Sequence, residues 1–471
     1  MLRLDEGEVL PEDDFFDLGG HSLAAAQLSS RLEQGFGVHV SMPVFMEDPT
    51  LSGLCDRIET LQRDGNDVET RPSEDLRAEA VLDPEIVPQP ATDGTRTLGD
   101  TDNVFLTGAT GFLGAFLLDG LLSLTDARVH CLVRQRGDSG EMESIETNLR
   151  RYGLWRPERE ERIVPVPGDL GEPLFGMIER DFDALARGID LIFHPGAVVN
   201  LVYPYSALEA ANVGGTREVL RLACRHGTKP VHHVSTNGIF PPGIGLCEEE
   251  TDLDDLAEAR DDGYGQSKWV AEKLVREAAA RGLPVCVYRP GNVSGHSESG
   301  ASNPRDLLGA VIVESTRLRC TPEIEGWRIE MTPVDFVAAA ILHLASKPAA
   351  QGGTYHLANP DPPPADEVFD RLEEQGYPLE RLPYEEWLQK LDAAPPEVGS
   401  PGEVLRGASP AAEELWEENI YEDSNARRAL GDGGPTRPAI DGDLMETYAR
   451  YFARQGWTEA PVALQETKRR G

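Results

Sequence analysis

The stretch "NVFLTGATGFLG", from Asn103 to Gly114, constrains the fold more than any other part of the chain. A short apolar run leads straight into Gly108, Gly111 and Gly114, and then into residues with the texture of a helix. Glycines at this spacing let the chain turn sharply, let its backbone approach a pyrophosphate, and let the helix pack tightly on the strand. The phosphates would rest on unpaired N–H groups at the helix N-terminus. A glycine triplet alone also suits a purely structural turn, but between a strand and a helix it predicts a dinucleotide site. Thr110, Phe112 and Leu113, interleaved with the glycines, are expected to line that site.

The runs "RVHCLVR", "RIVPVPG", "LIFHPGAV", "PVHHVST" and "PVCVYRP" follow, with helical stretches between them. Repeated alternation of this kind predicts an α/β fold: a Rossmann-type, doubly wound parallel sheet with helices on both faces. After about Gly295 the texture shifts to longer helices and few strands, read as a mostly helical C-terminal cap from which strands or helices could return to the core. The expected divisions are a small helical unit at 1–62, a polar linker at 63–72, the core at 73–295 and the cap at 296–471.

"LVRQR" ends the second strand at the place where Asp or Glu would meet a free ribose hydroxyl. Arg134 and Arg136 stand there instead, and Arg is the natural partner of a 2′-phosphate. Two solvated surface arginines are the alternative. In a chain of net charge −38, an anionic ligand has to be met by a local cationic patch, so the pair favours NADPH over NADH, Arg134 being the stronger candidate. The same net charge argues against non-specific binding to nucleic acid or anionic membrane. The six cysteines are scattered, several within apolar runs, and read as reduced core residues. With no secretory pattern and no bilayer-length apolar stretch, a cytoplasmic setting is expected, and no metal site is convincing.

"GYGQSKWVAEKLV" places Tyr264 and Lys268 four residues apart, on one face of a predicted helix. A free phenol, with a pKa of about 10, is a poor acid–base catalyst near neutrality. A nearby ammonium favours the phenolate and lowers that value. Upstream, "HHVSTNGIF" sets Ser235 and Thr236 at the end of an apolar strand, where ligands bind in open α/β sheets. Thr236 would donate to a substrate carbonyl, unless its hydroxyl only ties down its own loop. His194, His232 and His233 are expected to serve packing or loop bonding.

These residues resemble the extended short-chain dehydrogenase/reductase family from about Asn103 to Asp335, including "GATGFLG", "GDL", "HPGAVVN", "NVGGT", "YGQSK" and "RPGNVSG". The resemblance implies a catalytic set of Thr236, Tyr264 and Lys268, with Tyr264 and Lys268 also touching the cofactor. It further implies that Asp169 and Leu170 lie near the adenine, that Ala197 and Asn200 line the cleft, and that Arg289 to Asn292, with Pro290 and Asn292 in contact, approach the nicotinamide.

Near the N-terminus, "DDFFDLGGHSL" and the later "FMEDPTL" are similar to the attachment motif of peptidyl carrier proteins, with Phe15, Phe16, Leu18, Gly19, Gly20, Ser22 and Leu23 in place. That similarity makes Ser22 the bearer of 4′-phosphopantetheine. A Ser before a helical run is also an ordinary N-cap, and both roles can hold. A carrier joined to an extended reductase resembles the terminal unit of non-ribosomal peptide synthetases, a layout shared with carboxylic acid reductases. "LRCTPEIEGWRIEMTPVDFVAAAILHLA" and "GYPLERLPYEEWLQKL" look like the cap of such thioester reductases.

The resemblance implies reductive release of a carrier-bound acyl or peptidyl thioester as an aldehyde, at the expense of NADPH, with a second reduction to the alcohol left open. A phosphopantetheinyl transferase and upstream synthetase modules or an adenylation domain are the implied partners. A carrier's first helix is expected before "MLRLDEGEVLPEDD", so the chain reads as a fragment of a larger synthetase or as an incomplete carrier bundle. A sugar-nucleotide epimerase or dehydratase, a non-redox cyclising relative and a regulatory cofactor-binding module remain as alternatives. None of the three accounts for both Ser22 and the complete Thr–Tyr–Lys set.

Overall fold

Seven short parallel strands form the centre of the reductase region: β1 (Asn103–Leu106), β2 (Arg128–Val133), β3 (Ile163–Pro167), β4 (Leu191–His194), β5 (Val231–Val234), β6 (Val285–Pro290) and β7 (Thr354–Leu357), in the spatial order β7-β6-β5-β4-β1-β2-β3. The computed structural model describes residues 49–64, 76–89, 96–134, 140–201, 203–256, 262–394, 400–402, 405 and 419–459, together with isolated positions at 15, 28, 32, 36, 38, 40 and 45.

The six apolar runs read from the sequence are the first six strands. Their continuous hydrophobicity reflects burial on both faces: β4, β5 and β6 are buried at every position. Val104 and Leu106 face one core while Phe105 faces the other, as a period of two demands. β3 carries Pro165 and Pro167 and pairs only with β2, since a strand with prolines is tolerated at an edge. The seventh strand, "TYHL", comes from the C-terminal region and pairs with β6.

Helix α1 (Leu51–Asp64) begins after Thr50. The Thr50 hydroxyl accepts the Gly53 N–H at 3.0 Å, so threonine supplies the cap. Phe15, Leu32, Val38, Val40, Phe45, Leu54 and Ile58 form a small separate core, in which Phe15 meets Phe45 edge to face at 5.2 Å. Ser22 and Arg136 lie outside the described residues.

Around the sheet run α2 (Phe112–Leu124), α3 (Glu141–Arg151), α4 (Gly215–Cys224) and α5 (Gly263–Ala280). Of the C-terminal helices, α6 (Leu307–Leu318) and α7 (Val334–Ala345) share the first core with α2, while α8 (Ser424–Leu430) and α9 (Gly442–Gln455) close that side. Residues 82–86 dock on the far end of α5, where Glu277 accepts the Leu82 N–H at 2.8 Å and Arg281 donates to the Ile86 carbonyl at 2.9 Å. No helix among the described residues is long and apolar enough to cross a membrane.

Candidate active site

Because all seven strands are parallel, the segments that follow them gather at one edge of the sheet. The turn after β1 is built from backbone. Gly108 sits at φ +67°, and a Cβ on Gly114 would lie 1.9 Å from the Gly108 oxygen. No side chain caps the start of α2. Asn148 of α3 braces the turn from outside, donating to the carbonyls of Ala109 at 3.1 Å and Gly111 at 3.0 Å. A Cβ-free cradle beside an uncapped helix start fits a dinucleotide pyrophosphate. Phe112 and Leu113 are half-buried there, and Thr110 is exposed.

Arg134 follows β2, about half exposed, its Nη1 3.6 Å from the Asp169 carboxylate. Asp169 also accepts the Gly171 N–H at 2.9 Å, fixing the turn that carries Leu170. Arg134 is therefore shared with an acid rather than free. Ala197 and Asn200 lie in the loop after β4, where Asn200 accepts the Tyr203 N–H at 3.0 Å.

Thr107 ties β1 to β4, its Oγ1 accepting the Gly196 N–H at 3.0 Å and meeting His194 Nδ1 at 2.8 Å. Thr216 gives its own proton to the Asn212 carbonyl at 2.6 Å, so His194 Nε2 is the donor in the 3.1 Å contact between them. Nδ1 then accepts from Thr107. Burial, followed by the charge of Lys268, pushes the His194 pKa down to about 3. This histidine is neutral and serves loop bonding. His232 bonds the Tyr288 hydroxyl at 2.8 Å, and fully buried His233 has no partner at either ring nitrogen among the described residues.

Thr236 leaves the end of β5 as the cap of a short turn, accepting the Gly238 N–H at 3.0 Å. Its own proton makes only a long contact, 3.4 Å, to Asn237. The loop-tying role thus uses the oxygen lone pair and leaves the O–H available to a substrate. Tyr264 stands half-buried in the first turn of α5, and one turn on, Lys268 is buried with Nζ donating to the Val234 carbonyl at 2.8 Å. Burial lowers the Lys268 pKa to about 8, against the opposing pull of Glu272.

Three residues given no separate role in the sequence reading hold this arrangement. Asn212 lies in a π-helical turn, Ala210–Gly214, of the sort often found at functional sites. Its side chain accepts from Val198 N at 2.7 Å and donates to Ser267 Oγ at 2.9 Å, while Ser267 donates to the Tyr264 carbonyl at 2.8 Å. Glu272, one further turn along α5, accepts Ser235 Oγ at 2.6 Å and both Nε and Nη2 of Arg289, at 3.1 and 2.6 Å. Burial works to raise the Glu272 carboxyl, but Arg289 and Arg276 outweigh it and hold the group well below the usual carboxylate range.

Arg289 itself is wholly buried, with Nη1 3.0 Å from His356 Nε2, so its side chain belongs to the core. Pro290 closes β6, and Asn292 is fastened through its backbone to Glu330 and Thr332. The spacing of Ser267 and Glu272 from Lys268 in "YGQSKWVAE" was the available signal. The partners of Asn212 and Arg289 carried none.

A family model described as male sterility protein matches residues 106–341, and one described as phosphopantetheine attachment site matches residues 1–58. The chain is 44% identical to the glycine betaine reductase ATRR of Emericella nidulans, over 98% of its own length and 37% of that protein. It is 36% identical to a linear gramicidin synthase polypeptide of Brevibacillus parabrevis, over 94% of its length and 9% of that protein. The chain therefore spans well under half of these relatives. Among solved structures, the terminal R domain of the myxalamid PKS-NRPS pathway is 42% identical with a TM-score of 0.75, covering 82% of this chain and 98% of that one. An archaeal thiolation-reductase di-domain shares the fold at 23% identity and a TM-score of 0.67, covering 95% and 94% of the two chains.

Proposed function

The chain belongs to the male sterility protein family, and from that premise we propose that it is the carrier and reductase portion of a larger synthetase, releasing an acyl or peptidyl thioester by NADPH-dependent reduction. The observation that carries this reading is the meeting at the end of β5. Lys268 is fastened to Val234, two residues before Thr236, at the sheet edge that also holds the uncapped glycine turn.

Ser22 would bear the phosphopantetheine arm and the acyl group, added in the cytoplasm by a phosphopantetheinyl transferase and by upstream modules. Tethering raises the effective concentration of the thioester at the cleft. Bound NADPH supplies the hydride. Thr236 and Tyr264 donate to the carbonyl oxygen as negative charge develops on it, and Tyr264 gives up the proton. Lys268, one helical turn from Tyr264 and charged below about pH 8, would favour the resulting phenolate and would bond the ribose. The hemithioacetal then collapses to an aldehyde and the free thiol of the arm.

The test follows NADPH oxidation with an acyl thioester of pantetheine and identifies the product by mass spectrometry. Aldehyde or alcohol in step with oxidation supports the proposal, and hydrolysis or cyclisation without oxidation removes it. Intact mass after treatment with coenzyme A and a transferase should show one added arm on the wild type and none on Ser22→Ala.

A further inference from the structure

Arginines from three separate elements stand near Tyr152 and Tyr451, Arg151 next to Tyr152 in the chain and Arg454 over the Tyr451 ring, with Arg305 close enough to Tyr152 for its charge to be felt there. Arg151 ends α3, Arg305 lies in the loop before α6, and Arg454 is in the last turn of α9. All three are exposed, and none has a carboxylate within salt-bridge distance among the described residues.

Their meeting place is an aromatic platform. Tyr152 packs on Phe112 at 5.1 Å and on Phe116 at 5.9 Å, and Phe116 stacks on His296 at 5.5 Å. Arg454 lies over the Tyr451 ring at 5.9 Å and donates to the Ser299 carbonyl at 3.0 Å. Burial raises the pKa of both phenols, and the arginines act against it: Arg151 and Arg305 at Tyr152, Arg151 and Arg454 at Tyr451. The patch also borders the cofactor turn, because Asn148, one helical turn before Arg151, holds the Ala109 and Gly111 carbonyls.

Residues 1–62 carry twelve carboxylates against three arginines, a net charge of −9. We infer that Arg151, Arg305 and Arg454 form the surface on which the acidic carrier unit docks to deliver its arm, a refinement that rests on the carrier and reductase reading above. Complementary charge steers encounter and fixes orientation more than it adds affinity. The cations act once the linker has brought the carrier near. Having no carboxylates of their own, they meet those of the carrier without first breaking an internal pair.

The experiment uses the full chain in two forms. In one, Ser22 carries an acylated arm; in the other, the unloaded chain receives the same acyl group on free pantetheine. Single-turnover reduction is compared between wild type and the triple variant Arg151→Glu, Arg305→Glu, Arg454→Glu. Reversing three exposed charges should slow the tethered reaction roughly tenfold or more. The free thioester should react as before, with NADPH affinity unchanged. Added salt should slow the tethered wild type and have little effect on the variant, and the corresponding triple lysine variant should restore the rate.

Equal losses on tethered and free substrate would overturn the inference, as would an unaltered tethered rate. A fall in NADPH affinity would reassign the patch to a cofactor phosphate. If the wild type reduces neither substrate, the reductase reading fails first and takes this one with it.

Discussion

The two halves of the sheet edge are built from different materials. From β1 to β4 the edge leans on backbone: a glycine-rich turn, an uncapped helix and a bracing asparagine that holds carbonyls. From β5 to β7 it is mostly buried side chain, a run of Ser235, Glu272, Arg289 and His356 that ends on the Glu422 carbonyl at 2.8 Å. The first half has a shape that suits an anion and rests on few buried charges. The second fixes acid–base groups by fastening them to a charged core, so damage there spreads.

The sharpest break in that comparison comes at Tyr264, the point where the second half meets solvent. Tyr264→Phe keeps the ring and removes the proton donor, so turnover should fall by about 10²–10⁴-fold with NADPH affinity retained. Single-turnover rates at saturating NADPH would show this, and equal rates would remove Tyr264 from the chemistry. In the wild type the rate should also fall as pH rises through about 8, where Lys268 gives up its proton.

Next in size is Glu272→Gln, which leaves Arg289 buried without its counter-charge. Breaking a buried pair costs about 3–5 kcal/mol, so the melting temperature should drop by many degrees. A small change in melting temperature would mean that the two halves are not so differently built. Gly114→Ala presses a methyl group onto the Gly108 carbonyl. Overpacking of this kind costs about 1–3 kcal/mol of stability, so the melting temperature should fall less than for Glu272→Gln while NADPH binding weakens at least tenfold. The smallest effect belongs to Arg134→Ala. An exposed arginine already shared with Asp169 contributes under about 1 kcal/mol, so the preference for NADPH over NADH should narrow only a few-fold by titration. Asp169→Asn should widen it.

The same contrast explains what could be read from the amino acids. Six of the seven strands and the glycine turn are local signals, an apolar run or a fixed spacing that physics requires of neighbouring residues. Thr236, Tyr264 and Lys268 could be named as candidates because a strand end and one helical face carry them, and Lys268 is fastened to Val234, two residues before Thr236. β7 was missed because four residues of "TYHL" resemble any short buried run, and only its pairing with β6 makes it part of the sheet. Glu272 and Arg289 are 17 positions apart, and nothing local distinguishes a buried ion pair from two ordinary charges. Asn212 reaches its partners only because the helix carries an extra residue in one turn, which leaves no mark in composition.

The late arrival of β7 also has a consequence for synthesis on the ribosome. Until residue 357 has emerged, β6 has an open hydrogen-bonding edge, apolar on both sides of the strand apart from Arg289 and the Tyr288 hydroxyl. An exposed edge of that kind invites pairing with another chain. Some sixty residues separate the two strands, and at about 5–20 residues per second the nascent sheet stays open for several seconds. Engineered fusions that divide the reductase anywhere between β6 and β7 would make that interval permanent.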